Sequence, residues 1–527
     1  MKYTGPVSLL FHVLTVMLVF FFLTPSPPLE AEQEEPPIPH ETEIEKAGDE
    51  SEKFSETRHS LNVNGEDLRY KAIAGEIVIE HEKKKDKEQG IKGKLFYVAY
   101  ELEGAEKSER PVSFVFNGGP GAASVWLHLG GLGPKRIKLE QGRTPPPPVR
   151  YEDNPSSWLS FTDIVFVDPV GTGFSRGIPD DENSREIFYG FQQDIKSVAE
   201  FIRLYLTKYN RWMSPKFLIG ESYGTTRVAG LTRYLQQRFG IDLNGVVLIS
   251  PVLDYDTILF LPSNDLPYVV FLPTYAALAK YHNVLPEQEG TENLATFLGE
   301  VEDFTLNKYV TYLAKGEDLG NEQKKELLDL LGRYTGISKD FIMKNHFRIN
   351  WTEFIKNLLG DRGQIIGRMD GTITDIDLDP GDPSIRYDPS LDPLFGSFSS
   401  AMNSYVREEL KFESNLFYEF LNYEVSEKWD WSSGLTRKQG FIDVSHTLRE
   451  AIAVNENLRV FIASGYYDLA TPYFAARYTV SHMWLGEYRS NVVMKTYSAG
   501  HMIYTHAEEL RKLTDDAKGF YRSSLGR

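Results

Sequence analysis

Two spacings of apolar residues alternate along this chain. The segments Leu68–Glu80 (LRYKAIAGEIVIE), Leu95–Glu103 (LFYVAYELE) and Val112–Asn117 (VSFVFN) read as strands, and the charged KKKDKEQG between the first two predicts an antiparallel pair at a sheet edge. Later runs, Asp163–Asp168, Lys216–Gly220, Gly245–Pro251, Leu458–Gly465 and Asn491–Gly500, are short, rich in Val, Ile and Phe, and lack polar alternation, as in strands buried on both faces. Ile187–Tyr209, Thr225–Phe239 and Pro472–Leu485 carry the apolar stripe of amphipathic helices. Alternating strands and helices predict an α/β fold with a mostly parallel central sheet flanked by helices.

The alternation stops between residues 255 and 457. There Asn321–Tyr334 and Ser404–Leu421 read as helices and Asp379–Asp392 as a Pro/Asp/Gly-rich loop, so we expect a mainly helical cap insertion over the C-terminal edge of the sheet. The catalytic core is then expected to comprise residues 60–254 and 458–527. Ahead of it, Lys2 and the apolar run Val7–Leu23 mark residues 1–24 as an export signal or an uncleaved anchor, and residues 25–59, rich in Pro and Glu, as a disordered acidic linker. The expected location is exported, periplasmic or secreted, with membrane attachment only if the N-terminal segment is uncleaved.

Composition narrows the chemistry. A net charge of −18 argues against a nucleic-acid partner, which needs clustered Lys and Arg. The absence of cysteine excludes disulfides, thiolate metal sites and a cysteine nucleophile.

Gly220-Glu221-Ser222-Tyr223-Gly224 lies between a strand and a helix, the setting of a nucleophile elbow, in which glycines make room for a strained turn that exposes the serine. A nucleophilic Ser222 needs a base and a carboxylate to orient it, and on this scaffold they follow as acid then histidine past late strands. Asp468 and His501 stand at those places. Asn117-Gly118-Gly119-Pro120-Gly121 follows its own strand and offers unshielded N–H groups, so the oxyanion donors are expected to be the N–H groups of Gly119 and Tyr223. No metal or cofactor is expected. His501 and His506 do not share a helix face, Gly171-Thr172-Gly173 lacks the third glycine of a dinucleotide fingerprint, and Asp375-x-Asp377-x-Asp379 runs into Pro380 where a calcium loop needs glycine.

FNGGPGAAS (116–124), DPVGTGFS (168–175), GESYGTTR (220–227), SGYYDLATP (464–472) and SAGHM (498–502) resemble, in order, the signature blocks of the serine carboxypeptidase family (peptidase family S10). The lack of cysteine is similar to its bacterial branch. The resemblance implies an α/β-hydrolase fold, peptide substrates shortened from the C-terminus, and a substrate-binding group of Asn117, Gly118, Glu221 and Met502. In it Asn117 and Glu221 bind the terminal carboxylate and Met502 lines the leaving-residue pocket. Two carboxylates at hydrogen-bond distance must share a proton, so peptidase activity is expected to favour acidic pH, and esters or C-terminal amides to tolerate higher pH. Val115 and Gly131 depart from the family, which often has Trp and Glu there. An esterase or acyltransferase with the same triad, or a noncatalytic binding protein on this fold, remain the alternatives.

Overall fold

The computed structural model describes residues 50–63, 65–80, 92–286, 293–432 and 442–526. The expected signal or anchor, most of the expected linker and the KKKDKEQG connection lie outside the described residues.

Ten strands form one sheet: β1 Phe54–Val63, β2 Glu66–Glu80, β3 Lys92–Leu102, β4 Val112–Phe116, β5 Asp163–Val167, β6 Arg176–Ile178, β7 Lys216–Glu221, β8 Gly245–Ile249, β9 Arg459–Gly465 and β10 Val492–Tyr497. Their order is β1-β2-β3-β5-β4-β7-β8-β9-β10, with β6 paired to β3. The six strands from β5 to β10 in that order are parallel, while β1, β2 and β3 join antiparallel, as the charged connection predicts. This is an α/β-hydrolase sheet with its reactive loops at the C-terminal ends of parallel strands.

Strand periodicity divides the interior into two layers. Val246 and Leu248 of β8 and Val460 and Ile462 of β9 face one layer, and Val247, Ile249, Phe461 and Ala463 face the other. The first is covered by α1 Phe191–Lys208 and α2 Tyr223–Phe239, the second by the C-terminal helix Ala507–Ser524. Strand β10 departs from the fully buried pattern: Val493 and Lys495 are exposed, because it closes the sheet edge.

Residues 266–376 include α3 Leu266–Tyr281, α4 Asn321–Thr335 and α5 Trp351–Leu358 around a third apolar cluster, which also takes in Leu469, Tyr473 and Phe474 from beyond β9. The segment from 392 onward behaves differently from the expected cap. Helix α6 Asp392–Glu408 lays Leu394, Phe398, Met402 and Tyr405 into the second sheet layer, and α7 Ser445–Val454 packs against α2 in the first.

Two expectations need correction. The first six residues of β1 fall in the stretch expected to be linker, where Phe54–His59 pair with Ala74-side partners of β2 from Gly75 to Tyr70. The helix read over Ser404–Leu421 stops at Glu408, because the following backbone is bound elsewhere. Gly173 and Glu419 exchange N–H···O bonds of 2.8 and 3.0 Å, and Ala123 N–H donates to Phe420 O at 3.1 Å. Segment 419–422 thus threads between the two glycine loops, and its tertiary pairing overrides its helical spacing.

Candidate active site

Strand β7 ends at Glu221 and α2 begins at Tyr223, leaving Ser222 alone at the turn with φ 58° and ψ −129°. A non-glycine residue holds that strained conformation only where its surroundings fix it. Here the flanking glycines are obligatory: a Cβ on Gly220 would stand 2.2 Å from Gly224 O, and one on Gly224 would stand 2.6 Å from Phe116 O. The elbow anticipated from the pentapeptide is present.

Asp468 and His501 come from the loops after β9 and β10. His501 Nδ1 and Asp468 Oδ2 are 2.8 Å apart, and Asp468 is fully buried. The Ala470 and Thr471 N–H groups donate to Asp468 Oδ1 at 2.8 and 2.9 Å, and the Thr471 hydroxyl donates to Oδ2 at 2.8 Å. Burial alone would lower the His501 pKa, but the Asp468 carboxylate, through its charge and hydrogen bond, reverses this and raises it, with Glu221 adding to the effect. Thr471 escaped the sequence reading, although a hydroxyl residue three places after a loop aspartate is the signature of a local side-chain turn.

Ser222 and His501 line one pocket of about 100 Å³, together with Asn117, Gly118, Gly119, Glu221, Tyr223 and Met502. All the expected site residues outside the buried Asp468 therefore meet around one space. The glycine loop lies directly against the elbow: a Cβ on Gly118 would come 2.6 Å from Tyr223 N. Tyr223 opens α2, where an N–H has no intrahelical acceptor.

Behind the elbow, Arg227 pairs with Asp194 at 2.8 Å and donates to Asn117 O at 2.8 Å, which fixes the loop that carries Asn117. The Asn117 side-chain amide donates to Glu221 at 3.2 Å. Burial pushes the Glu221 carboxyl up to about 7, against the opposing pull of His501, Tyr504 and Asn117. At neutral pH this carboxyl is therefore divided between its acid and ionised forms.

Val115 lies in the sheet core, and Gly131 abuts Tyr504: a Cβ on Gly131 would stand 2.7 Å from Tyr504 Cβ, and one on Gly130 would stand 2.4 Å from the ring. The two glycines make room for this ring. Its hydroxyl sits in the electrostatic neighbourhood of Glu221 and Asn117, yet no atom of the described residues meets it at good hydrogen-bonding geometry.

The insertion supplies the opposite wall through Arg368, Met369 and Leu391, which no motif marks in the sequence. Residues 367–371 run against both triad loops. His501 N–H donates to Met369 O at 2.6 Å, Leu469 N–H to Arg368 O at 3.1 Å, and Gly371 N–H to Tyr467 O at 3.0 Å.

The sheet is that of an α/β hydrolase, and the strained serine and the histidine of the His–Asp pair line one pocket of it. Within that class, the resemblance drawn from the motifs is borne out: residues 82–294 match the serine carboxypeptidase family model. That match contains the glycine loop and the elbow; the acid and the base lie beyond it. Among curated relatives, the pheromone-processing carboxypeptidase KEX1 of Yarrowia lipolytica is 27% identical over 233 residues, covering 44% of this chain and 35% of the relative. Serine carboxypeptidase-like 16 of Arabidopsis thaliana is 32% identical over 176 residues, covering 31% of this chain and 38% of the relative. The chain thus spans little more than a third of the length of these two relatives. The crystal structure of KEX1(DELTA)P, a prohormone-processing carboxypeptidase from Saccharomyces cerevisiae, shares the fold with a TM-score of 0.51 at 14% identity, over 86% of this chain and 92% of that one.

Proposed function

We propose that this protein is a serine-type carboxypeptidase that removes C-terminal residues from peptides through an acyl-enzyme on Ser222. The observation that carries the reading is the meeting, in one pocket, of a nucleophile elbow, a histidine bonded to a buried aspartate and an Asn–carboxyl pair able to receive a terminal carboxylate. Ser222 Oγ attacks the scissile carbonyl carbon while His501 takes its proton. Asp468, fixed by two N–H groups and the Thr471 hydroxyl, holds the imidazole and stabilises the imidazolium. The oxyanion is received by the Gly119 and Tyr223 N–H groups. His501 then protonates the departing amine, and water, activated by the same imidazole, releases the shortened peptide.

Asn117 and the protonated form of Glu221 donate to the substrate's terminal carboxylate, and Gly118 and Met502 border the leaving residue. The apolar run Val7–Leu23 supports export, by a cleaved signal or as an anchor. Among the described residues no helix is long and apolar enough to cross a membrane.

The pH profile tests this reading. The base works neutral, so activity rises with pH through the raised His501 pKa. Terminal-carboxylate recognition is lost as Glu221 ionises near 7. The window for free peptides is therefore narrow and closer to neutral than the acid optimum the sequence suggests. A peptide and its C-terminal amide should share the acid limb, and only the free acid should show the alkaline fall. Coincident profiles for the two, or internal cleavage of a peptide library, would refute it.

A further inference from the structure

Arg368 stands on the wall shared by two cavities. One is the catalytic pocket; the other, of about 540 Å³, extends under the insertion between Phe260, Phe271, Trp351 and Ile355. Ile258, Arg368, Met369, Leu391 and Ala470 border both, so the larger chamber continues the catalytic one, with a volume in the range of peptide-sized ligands.

The guanidinium is stacked on the Trp351 ring, 4.5 Å from its centroid, and its Nε is shut off from solvent with no acceptor among the described residues. Burial lowers its pKa, and the charges of Asp388 and Asp468 only partly offset this from a distance. Neither carboxylate turns toward it. Asp388 receives the N–H groups of Arg368, Met369 and Ser390 and the Ser390 hydroxyl, at 3.2, 3.2, 2.9 and 2.6 Å, while Asp468 is saturated by its own loop and His501. Glu353, on the far side of the larger chamber, is engaged by Asn350 N–H at 2.9 Å.

A partly buried cation that lines a pocket and has no hydrogen-bonded anion keeps its charge available to a ligand entering that pocket. Among the described residues that line the catalytic pocket, Arg368 is the permanently charged one, whereas Glu221 and His501 exchange protons in the proposed reaction. We propose that Arg368 binds a carboxylate of the peptide substrate at the junction of the two chambers, making this protein selective for acidic peptides. That carboxylate is an acidic side chain on the segment entering the larger chamber, the peptide's own terminus being taken by Asn117 and Glu221. The inference rests on the carboxypeptidase reading for its substrate class.

The test compares the full-length protein with its Arg368→Met and Arg368→Lys variants. Substrates are N-acylated tripeptides carrying Glu or Gln at either position before the C-terminal residue, each as free acid and as amide. The protein should prefer the Glu member of a Glu/Gln pair by about tenfold or more in kcat/KM. Arg368→Met should bring that ratio near one, and Arg368→Lys should keep part of it. Collapse of the Glu/Gln ratio with the acid/amide ratio intact assigns the side-chain carboxylate to Arg368; collapse of the acid/amide ratio alone would overturn the assignment. Calorimetric binding of the same peptides to Ser222→Ala, with and without Arg368→Met, reads the preference without turnover. Preferential binding without hydrolysis by the unsubstituted protein would sink the carboxypeptidase reading and keep this one, and hydrolysis of free acids over amides without a Glu over Gln preference would do the reverse. Ratios unchanged in Arg368→Met, with a fall in Tm, would overturn the proposal and assign Arg368 to packing against Trp351.

Discussion

The two walls of the catalytic pocket are built on opposite principles. On the sheet side, Ser222, Asp468, His501 and the glycine loop sit at strand ends, each held by its own turn and by short local hydrogen bonds. On the insertion side, Arg368, Met369 and Leu391 precede or join helices, and Arg368 and Met369 are held in place by main-chain bonds to the opposite wall. One wall is organised by local backbone geometry, the other by contact with the first. Groups on the sheet wall should therefore be far more sensitive than groups on the insertion wall.

The largest effect should come from the sheet wall. Asp468→Asn should lower kcat on the order of 10⁴-fold while the fold persists, because the imidazole loses its tautomer and its counter-charge. Steady-state kinetics with a phosphonate titration of Ser222 checks this, and a loss of under tenfold would mean that another group orients His501.

A smaller effect should follow from forcing the walls apart. A Cβ on Gly500 would stand 2.3 Å from Met369 O and 2.5 Å from Asp370 Cα, both main-chain atoms that cannot swing aside. Gly500→Ala should displace His501 against the insertion and lower kcat/KM by about 10², the scale of a misplacement near 1 Å. Rates equal to those of the unsubstituted protein would break the comparison, since the insertion would then be a passive neighbour of the base.

The smallest effect concerns the second His–Asp contact between these regions, His506 Nε2 to Asp370 Oδ2 at 2.6 Å. Burial opposes protonation of His506, but the hydrogen bond and charge of Asp370 prevail and raise its pKa. A raised histidine pKa stabilises the fold fully below its ordinary 6.5, and the gain is lost as pH rises through the elevated value. His506→Ala should thus cost about 1 kcal/mol more in mildly acidic than in alkaline buffer. Thermal melts across pH measure it, and a pH-independent difference would reduce the contact to packing.

The same contrast explains what could be read from the amino acids. The elbow, the glycine loop and the order of acid and base impose constraints on a few neighbouring residues, so Ser222, Gly119, Asp468 and His501 were legible one motif at a time. Arg368 carries no such mark: its position depends on a wall assembled from residues more than a hundred positions away in the chain. The failed helix at Ser404–Leu421 has the same origin, because its spacing suits a helix while Gly121 and Gly173 recruit the backbone into bridges. Strand β1 was missed for a different reason. FSETRHSLNV alternates partly buried with exposed positions on an edge strand that pairs with β2 alone, so it needs few large apolar residues. Tyr504, too, is visible only once Gly130 and Gly131 are seen to clear space for its ring.

The strap from 367 to 371 also bears on how such a chain can change. Its bonds to the acid and base loops run through carbonyl oxygens and N–H groups, so they are indifferent to side-chain identity and intolerant of altered length. Helices of the insertion that touch neither the sheet layers nor the strap carry no such constraint, provided that these five residues keep their register. A chimera that imports a foreign cap would have to be spliced outside the strap, and single-residue deletions within it would be purged from a library selected for turnover.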